Sequence, residues 1–171
     1  MNFPHTTEIL RPYMDLTWIK DGAMGRGSAR HASYSAYLLG TWAPPLIEED
    51  QGFLKSFQGW VDAHVLKVLA VELNLIDKDH GFSGTLDAIL KTDFCPCLLA
   101  DWKPQSISRT WEPQIASYRH LALKHKFPVK KAAYLQPDKD GGTARLTYCD
   151  DTSFDFNAFL SALNCHRYFN Q

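Results

Sequence analysis

No stretch of this sequence approaches the roughly 18 consecutive apolar residues that a membrane span needs, so no membrane partner is expected. The opening MNFPHTTEILRPYMD has no basic segment leading into an apolar one, so no signal peptide is expected either. An excess of one charge is also missing: 18 basic residues stand against 19 acidic, for a net charge of -1. Nothing global advertises nucleic acid, although a binder's footprint is a local patch and not a total. Cysteine is scarce. Cys95, Cys97, Cys149 and Cys165 form no paired CxxC, the usual signature of structural zinc. Cys95 and Cys97 flank Pro96 in the apolar run CPCLLA, which reads as a buried strand. Reduced structural thiols in a cytoplasmic protein are therefore expected over a disulfide framework. Neither GxxxxGKS nor GxxxxGKT occurs, so a motor would have to come from a partner.

What is present suffices for one compact domain spanning 1–171, soluble and globular at 45% hydrophobic and 22% charged residues. Residues 1–24, with Pro4 and Pro12, predict a short helix and a loop. Gly25-Arg26-Gly27-Ser28 leads into ARHASYSAYLLG, a helix with Ser28 as cap, Ala32, Tyr37 and Leu38 as apolar stripe and Gly40 as stop. Pro44-Pro45 breaks the chain before a long helix. There Phe53, Phe57, Trp60, Val61, His64, Val65 and Val68 recur at three- and four-residue steps. The period then changes to strands at Val71–Asp77, Gly81–Lys91 and Cys97–Trp102, the last apolar enough to be central. A helix over 111–125, strands over 129–135 and 143–149, and a helix capped by Asp155 complete the order. The fold class is α/β: a single domain with a central mixed β-sheet flanked by helices.

The informative stretch is EL-x12-GTLD-x13-DWK. Glu72 reads as the head of the first strand, Asp87 as late in the second, and Asp101 as the end of the third. Asp101 and Lys103 differ by two positions, so on a strand they leave from the same face. A carboxylate ending an apolar strand needs compensation, and a divalent metal such as magnesium or manganese supplies it. Phosphodiester hydrolysis uses these parts: a metal to activate water, and a cation where charge develops. A structural Asp101–Lys103 pair is the bland alternative, outweighed by Glu72 and Asp87 on neighbouring strands. A carboxylate-pair glycosidase would use Glu72 and Asp87 but leave Lys103 idle.

Gly84-Thr85-Leu86-Asp87, Asp101-Trp102-Lys103 and Gln114 with Tyr118 occur in that order, after Glu72 and Gly27-Ser28-Ala29-Arg30-His31. Residues 5–125 thereby resemble the PD-(D/E)xK nuclease superfamily, in its RecB-like branch with the small phage exonucleases; the opening HTTEIL fits too. The resemblance implies a restriction-endonuclease-like fold and a Mg2+- or Mn2+-dependent deoxyribonuclease, an exonuclease more than an endonuclease. Its setting would be DNA recombination, repair or phage DNA metabolism in a bacterial or phage-infected cell. It implies Asp87 and Asp101 as metal ligands, Glu72 and His31 as additional or second-metal ligands, and Lys103 as the catalytic lysine. Gln114 and Tyr118, one helical turn apart, would face the active site. From the residues alone, Tyr118 fits core packing equally well, and His31 reads as an interior histidine beside Tyr34 and Leu38. Two departures stand out. Pro104 follows Lys103 where the family has Thr or Ser, and no cysteine precedes Cys95, against the iron–sulfur cluster of some relatives.

For DNA, ends or single-stranded regions above all, Arg26, Arg30, Arg109, Arg119 and Lys124 are the candidate phosphate contacts, with Lys126, Lys130 and Lys131 nearby. Trp102 and Trp111 could stack on bases, though alternation away from Asp101 points Trp102 to the core. His64, His80, His120 and His125 show no metal-like pairing. The alternative function is a non-cleaving DNA-binding or assembly module on the same fold, and a recombination or single-strand-binding partner and oligomers fit either reading.

Overall fold

Residues 65–71, VLKVLAV, carry the helical period of the preceding segment and also a β-branched, strand-forming composition. The strand wins. The computed structural model describes residues 3–14 and 23–170; the part of the expected N-terminal loop at 15–22 lies outside the described residues. The elements are α1 (Thr6–Leu10), a 3-10 turn (Arg11–Tyr13), α2 (Ala23–Leu39), α3 (Glu48–His64), β1 (Val65–Asp77), β2 (Phe82–Thr92) and β3 (Leu98–Trp102). After them come α4 (Trp111–Lys124), β4 (Lys131–Gln136), β5 (Arg145–Tyr148) and α5 (Thr152–Phe169).

Three boundaries differ from the expectation. Val65 and Val68 belong to β1 and not to the helix, because β2 is long enough to pair with them, as Val65 with Thr92 and Val68 with Leu90. Cross-strand pairing overrides a local period. Ser28 lies inside α2, which already begins at Ala23, so it is not the residue that starts the helix. The cap of α5 is Asp151, whose side chain accepts the Phe154 amide at 3.2 Å, while Asp155 sits in the first turn. Gly40 does stop α2: it adopts φ 63°, and the Thr41 amide reaches back to the Ala36 carbonyl at 2.9 Å.

The five strands form one mixed sheet in the order β1-β2-β3-β4-β5, antiparallel except for the parallel β3–β4 pair. Every residue of β3 is buried, as a central strand requires. One face packs Leu86, Ile89 and Leu99 against α1, α4 and α5 through Ile9, Ile115, Leu121 and Phe159. The other packs Ala88, Leu98, Ala100 and Trp102 against α2 and α3 through Tyr34, Phe57 and Trp60. This α/β architecture, a central mixed sheet flanked by helices, is consistent with a restriction-endonuclease-like fold. Among the described residues no helix is long and apolar enough to cross a membrane. The four cysteines are free thiols, three of them buried.

Candidate functional site

Strand register puts the three acids on one line. Val71 pairs with Ala88 and Leu73 with Leu86, so Glu72 stands opposite Asp87. Ala88 pairs with Ala100, which brings Asp87 level with Asp101, and Asp101 pairs in turn with Tyr134. Adjacent strands lie about 4.8 Å apart, so the three carboxylates span little more than two strand spacings. Only Asp101 is near a strand end. Glu72 is mid-strand because β1 begins at Val65 and not at Val71, and Asp87 is the central residue of β2, whose bounds lie within one residue of those expected.

The ladder is disturbed where they meet. Asp87 turns its Oδ2 onto the Trp102 amide at 2.7 Å, taking the place of a β2 backbone carbonyl. Glu72 has φ 48°, the left-handed region, in the middle of a strand. A non-glycine residue there costs about 1–3 kcal/mol and persists only where surrounding structure enforces it. Glu72→Gly should therefore hold or raise stability, by about 1 kcal/mol, where glycine in a regular strand loses about that much. Urea unfolding checks this; a clear loss of stability would mean that residue 72 is unstrained.

Helix α2 closes the group from above. His31 Nδ1 lies 3.5 Å from Asp87 Oδ1, and Ser35, one turn on, donates to Glu72 Oε1 at 2.8 Å. Ligand atoms of His31, Glu72 and Asp87 lie within 4.8 Å of one another. Two carboxylates and an imidazole fit an oxygen-seeking divalent ion that tolerates nitrogen, as manganese does, or magnesium retaining waters. Burial opposes charge on the His31 ring, but contact with Asp87, with Asp101 behind it, outweighs that and raises its pKa.

Asp101 falls outside that compact trio and is turned to its own pair. Its Oδ2 is 2.6 Å from Lys103 Nζ, a close and buried ionic contact. Asp101 is 2% exposed. Burial raises its pKa, Lys103 pulls it back, and Asp87 pushes it up again.

Lys103 continues into a chain of polar contacts on α4. Its Nζ donates to Gln114 Oε1 at 2.7 Å, and Gln114 Nε2 donates to the Tyr118 hydroxyl at 2.9 Å. Gln114 and Tyr118 share a face and both are buried. Burial, with the Asp101 charge, keeps the Tyr118 phenol far above its ordinary pKa, so it remains protonated. Gly84 makes this packing possible: a Cβ there would stand 2.8 Å from the Tyr118 ring and 2.9 Å from Leu121.

The other sequence candidates are scattered. Arg26 and Arg109 are exposed. Arg30 lies 4.0 Å from Asp50 with its guanidinium over the Phe53 ring. Arg119 donates to Thr152 Oγ1 at 3.3 Å and, with Lys130 and Lys131, borders a small basic cavity. Lys124 gives its ammonium to Asp77 and Asp79, away from the trio. Trp102 is core, and so is Trp111, buried edge-on against Tyr134, which removes both as base-stacking platforms. Ser35 and the Trp102 amide escaped sequence reasoning. The spacing of Ser35 four residues after His31 would have flagged the first; the second is backbone and leaves no residue signal.

No family model matches the chain, and no curated protein matches it. Among solved structures, it is similar to a crystal structure of LHK-Exo in complex with dAMP. The identity is 13%, over 98% of this chain and 90% of that one, with a TM-score of 0.35. So distant a likeness transfers neither a residue role nor an activity.

Proposed function

We propose that the chain is a PD-(D/E)xK nuclease of the RecB-like type, hydrolysing DNA phosphodiester bonds with magnesium or manganese, as an exonuclease more than an endonuclease. The alignment of Glu72, Asp87 and Asp101 across three neighbouring strands, with His31 and Lys103 at its two sides, carries this reading. His31, Glu72 and Asp87 would hold the ion, with Asp101 completing the set. An ion so held would supply the activation of water and offset charge on the transferring phosphoryl group. Lys103 adds a fixed positive charge where the transition state becomes more negative. Gln114 accepts from Lys103 and is itself fixed by Tyr118, so the ammonium is oriented before DNA arrives. Ser35 does the same for Glu72. Arg26 and Arg109, both exposed, are the residues we assign to backbone phosphates, with Arg119 contributing from the basic cavity.

The test is cleavage of linear and circular, single- and double-stranded DNA with and without chelator. Activity should vanish in chelator and return with magnesium or manganese, and linear DNA should be cut while closed circles persist. Binding without cutting under every metal condition would favour a non-cleaving DNA-binding module. Full cutting in chelator would sink the metal mechanism.

A further inference from the structure

A second convergence of ligating atoms lies five residues along β1 from Glu72, about 16 Å of strand away. Asp77 ends β1 and is completely buried. Its two oxygens have separate duties. Oδ1 accepts the amides of Asp79 and His80, at 2.9 and 3.2 Å, together with the Lys124 ammonium. Oδ2 is met by two imidazoles: His80 Nδ1 at 2.7 Å and His120 Nε2 at 2.7 Å. These contacts hold the carboxyl well below its ordinary pKa, so it remains an anion.

The two rings are set and not loose. Phe156 of α5 stacks on His120 at 4.3 Å and 14° and meets His80 edge-on at 5.8 Å. Arg167 of the same helix donates to the His80 carbonyl. The side chains of His80 and His120 are still 39% and 28% exposed, so the outer side of the group is open to water. One carboxylate oxygen and two imidazole nitrogens, all within 4.8 Å of one another, therefore form three corners of a coordination shell whose fourth corner faces solvent.

We propose that Asp77, His80 and His120 form a second metal site, for a zinc-class ion, which ties the β1–β2 turn to α4. Two nitrogens and one oxygen suit zinc and disfavour magnesium or calcium, which seek all-oxygen shells. Bonds of about 2.1 Å in a tetrahedral shell require the 2.7 Å spacings to open to roughly 3.4 Å. Each ring moves its proton to its other nitrogen on binding, so neutral rings release none. The two amides remain on Oδ1, orienting the ligand from behind as supporting groups around a metal do, while the Lys124 ammonium on the same carboxylate opposes a second cation. This site shares no residue with the His31–Glu72–Asp87 group and does not depend on the nuclease reading.

The experiment is zinc titration of the full chain, stripped of metal, by competition with a chromophoric chelator, with cobalt absorption as a report of tetrahedral geometry. An Asp87→Asn background removes confusion with the first group. One saturable equivalent of zinc should bind there, with cobalt giving the intense visible bands of a tetrahedral ion. His80→Gln and His120→Gln can keep a hydrogen bond to Asp77 but lose the ligand, so affinity should fall at least 100-fold with the circular dichroism unchanged. If a glutamine variant fails to fold, Lys124→Met decides: it removes a nearby positive charge and should tighten zinc. No saturable uptake in the Asp87→Asn chain would overturn the site and leave a hydrogen-bonded clasp. The site is overturned equally if the folded glutamine variants bind as tightly as their background, or if Lys124→Met fails to tighten binding.

Discussion

Lys103→Met should cut DNA about 100-fold more slowly than the parent chain while binding manganese at least as tightly. The stem of the side chain is nearly preserved, so packing changes little; what is lost is a positive charge 2.6 Å from Asp101 and 2.7 Å from Gln114. A transition-state contact of this kind is worth roughly 3 kcal/mol, which is about 100-fold in rate. Metal binding should not suffer, because removing a cation beside the carboxylates leaves them more attractive to another cation. Asp101→Ala should behave in the opposite way, weakening metal binding as well as abolishing cutting. Calorimetric metal titration with single-turnover cleavage separates the two. A Lys103→Met chain that cuts at the parent rate, or an Asp101→Ala chain that binds metal as tightly as the parent, would make the pair structural.

The second large effect is on stability. Trp102→Ala should cost about 3–5 kcal/mol, the range for emptying a large aromatic site in a packed core. Trp102 is 1% exposed, with its ring 5.0 Å from Phe57 at 81° and 6.4 Å from Tyr34 at 86°. Trp102→Phe should cost far less, under about 2 kcal/mol: it keeps an aromatic contact and removes an indole N–H that is buried without a partner. Urea unfolding measures both. The phenylalanine variant should cut single-stranded DNA as the parent does, since the ring is turned from the line of acids. A large activity loss in a stable Trp102→Phe chain would restore the base-stacking role.

The legible parts of this protein are those where local pattern and final environment agree. The apolar run at 98–102 becomes the buried central strand, and the two-residue spacing of Asp101 and Lys103 becomes a contact between them. Gln114 and Tyr118, four apart on a helix, are joined by a hydrogen bond. What the sequence concealed depends on partners distant along the chain. The start of β1 is decided by β2, which lies across a turn and draws Val65 out of a helical period. The convergence of His80 with His120 joins residues that share no spacing signal, although Asp77 and His80 at a three-residue step around a turn were a local hint. Arg30 and Lys124 looked free for phosphate because Asp50, Phe53, Asp77 and Asp79 could not be placed beside them from sequence.

The conformation of Glu72 also bears on how the protein keeps to itself. In the sheet order β1 is an edge strand, thirteen residues long, with Leu66, Leu69 and Ile76 exposed along it. Such an edge is a template on which a second molecule's strand could zip up. A left-handed residue at 72 interrupts the row of outward amides and carbonyls, and register shifts against β2 between Val65 and Lys67 and between Val68 and Ala70 interrupt it again nearer the start of the strand. Lys67, exposed in the first segment, adds a charge that an incoming strand would have to bury. A substitution that let residue 72 relax into extended backbone would leave residues 70–77 as one uninterrupted edge, and with it a route to aggregation that the native conformation closes.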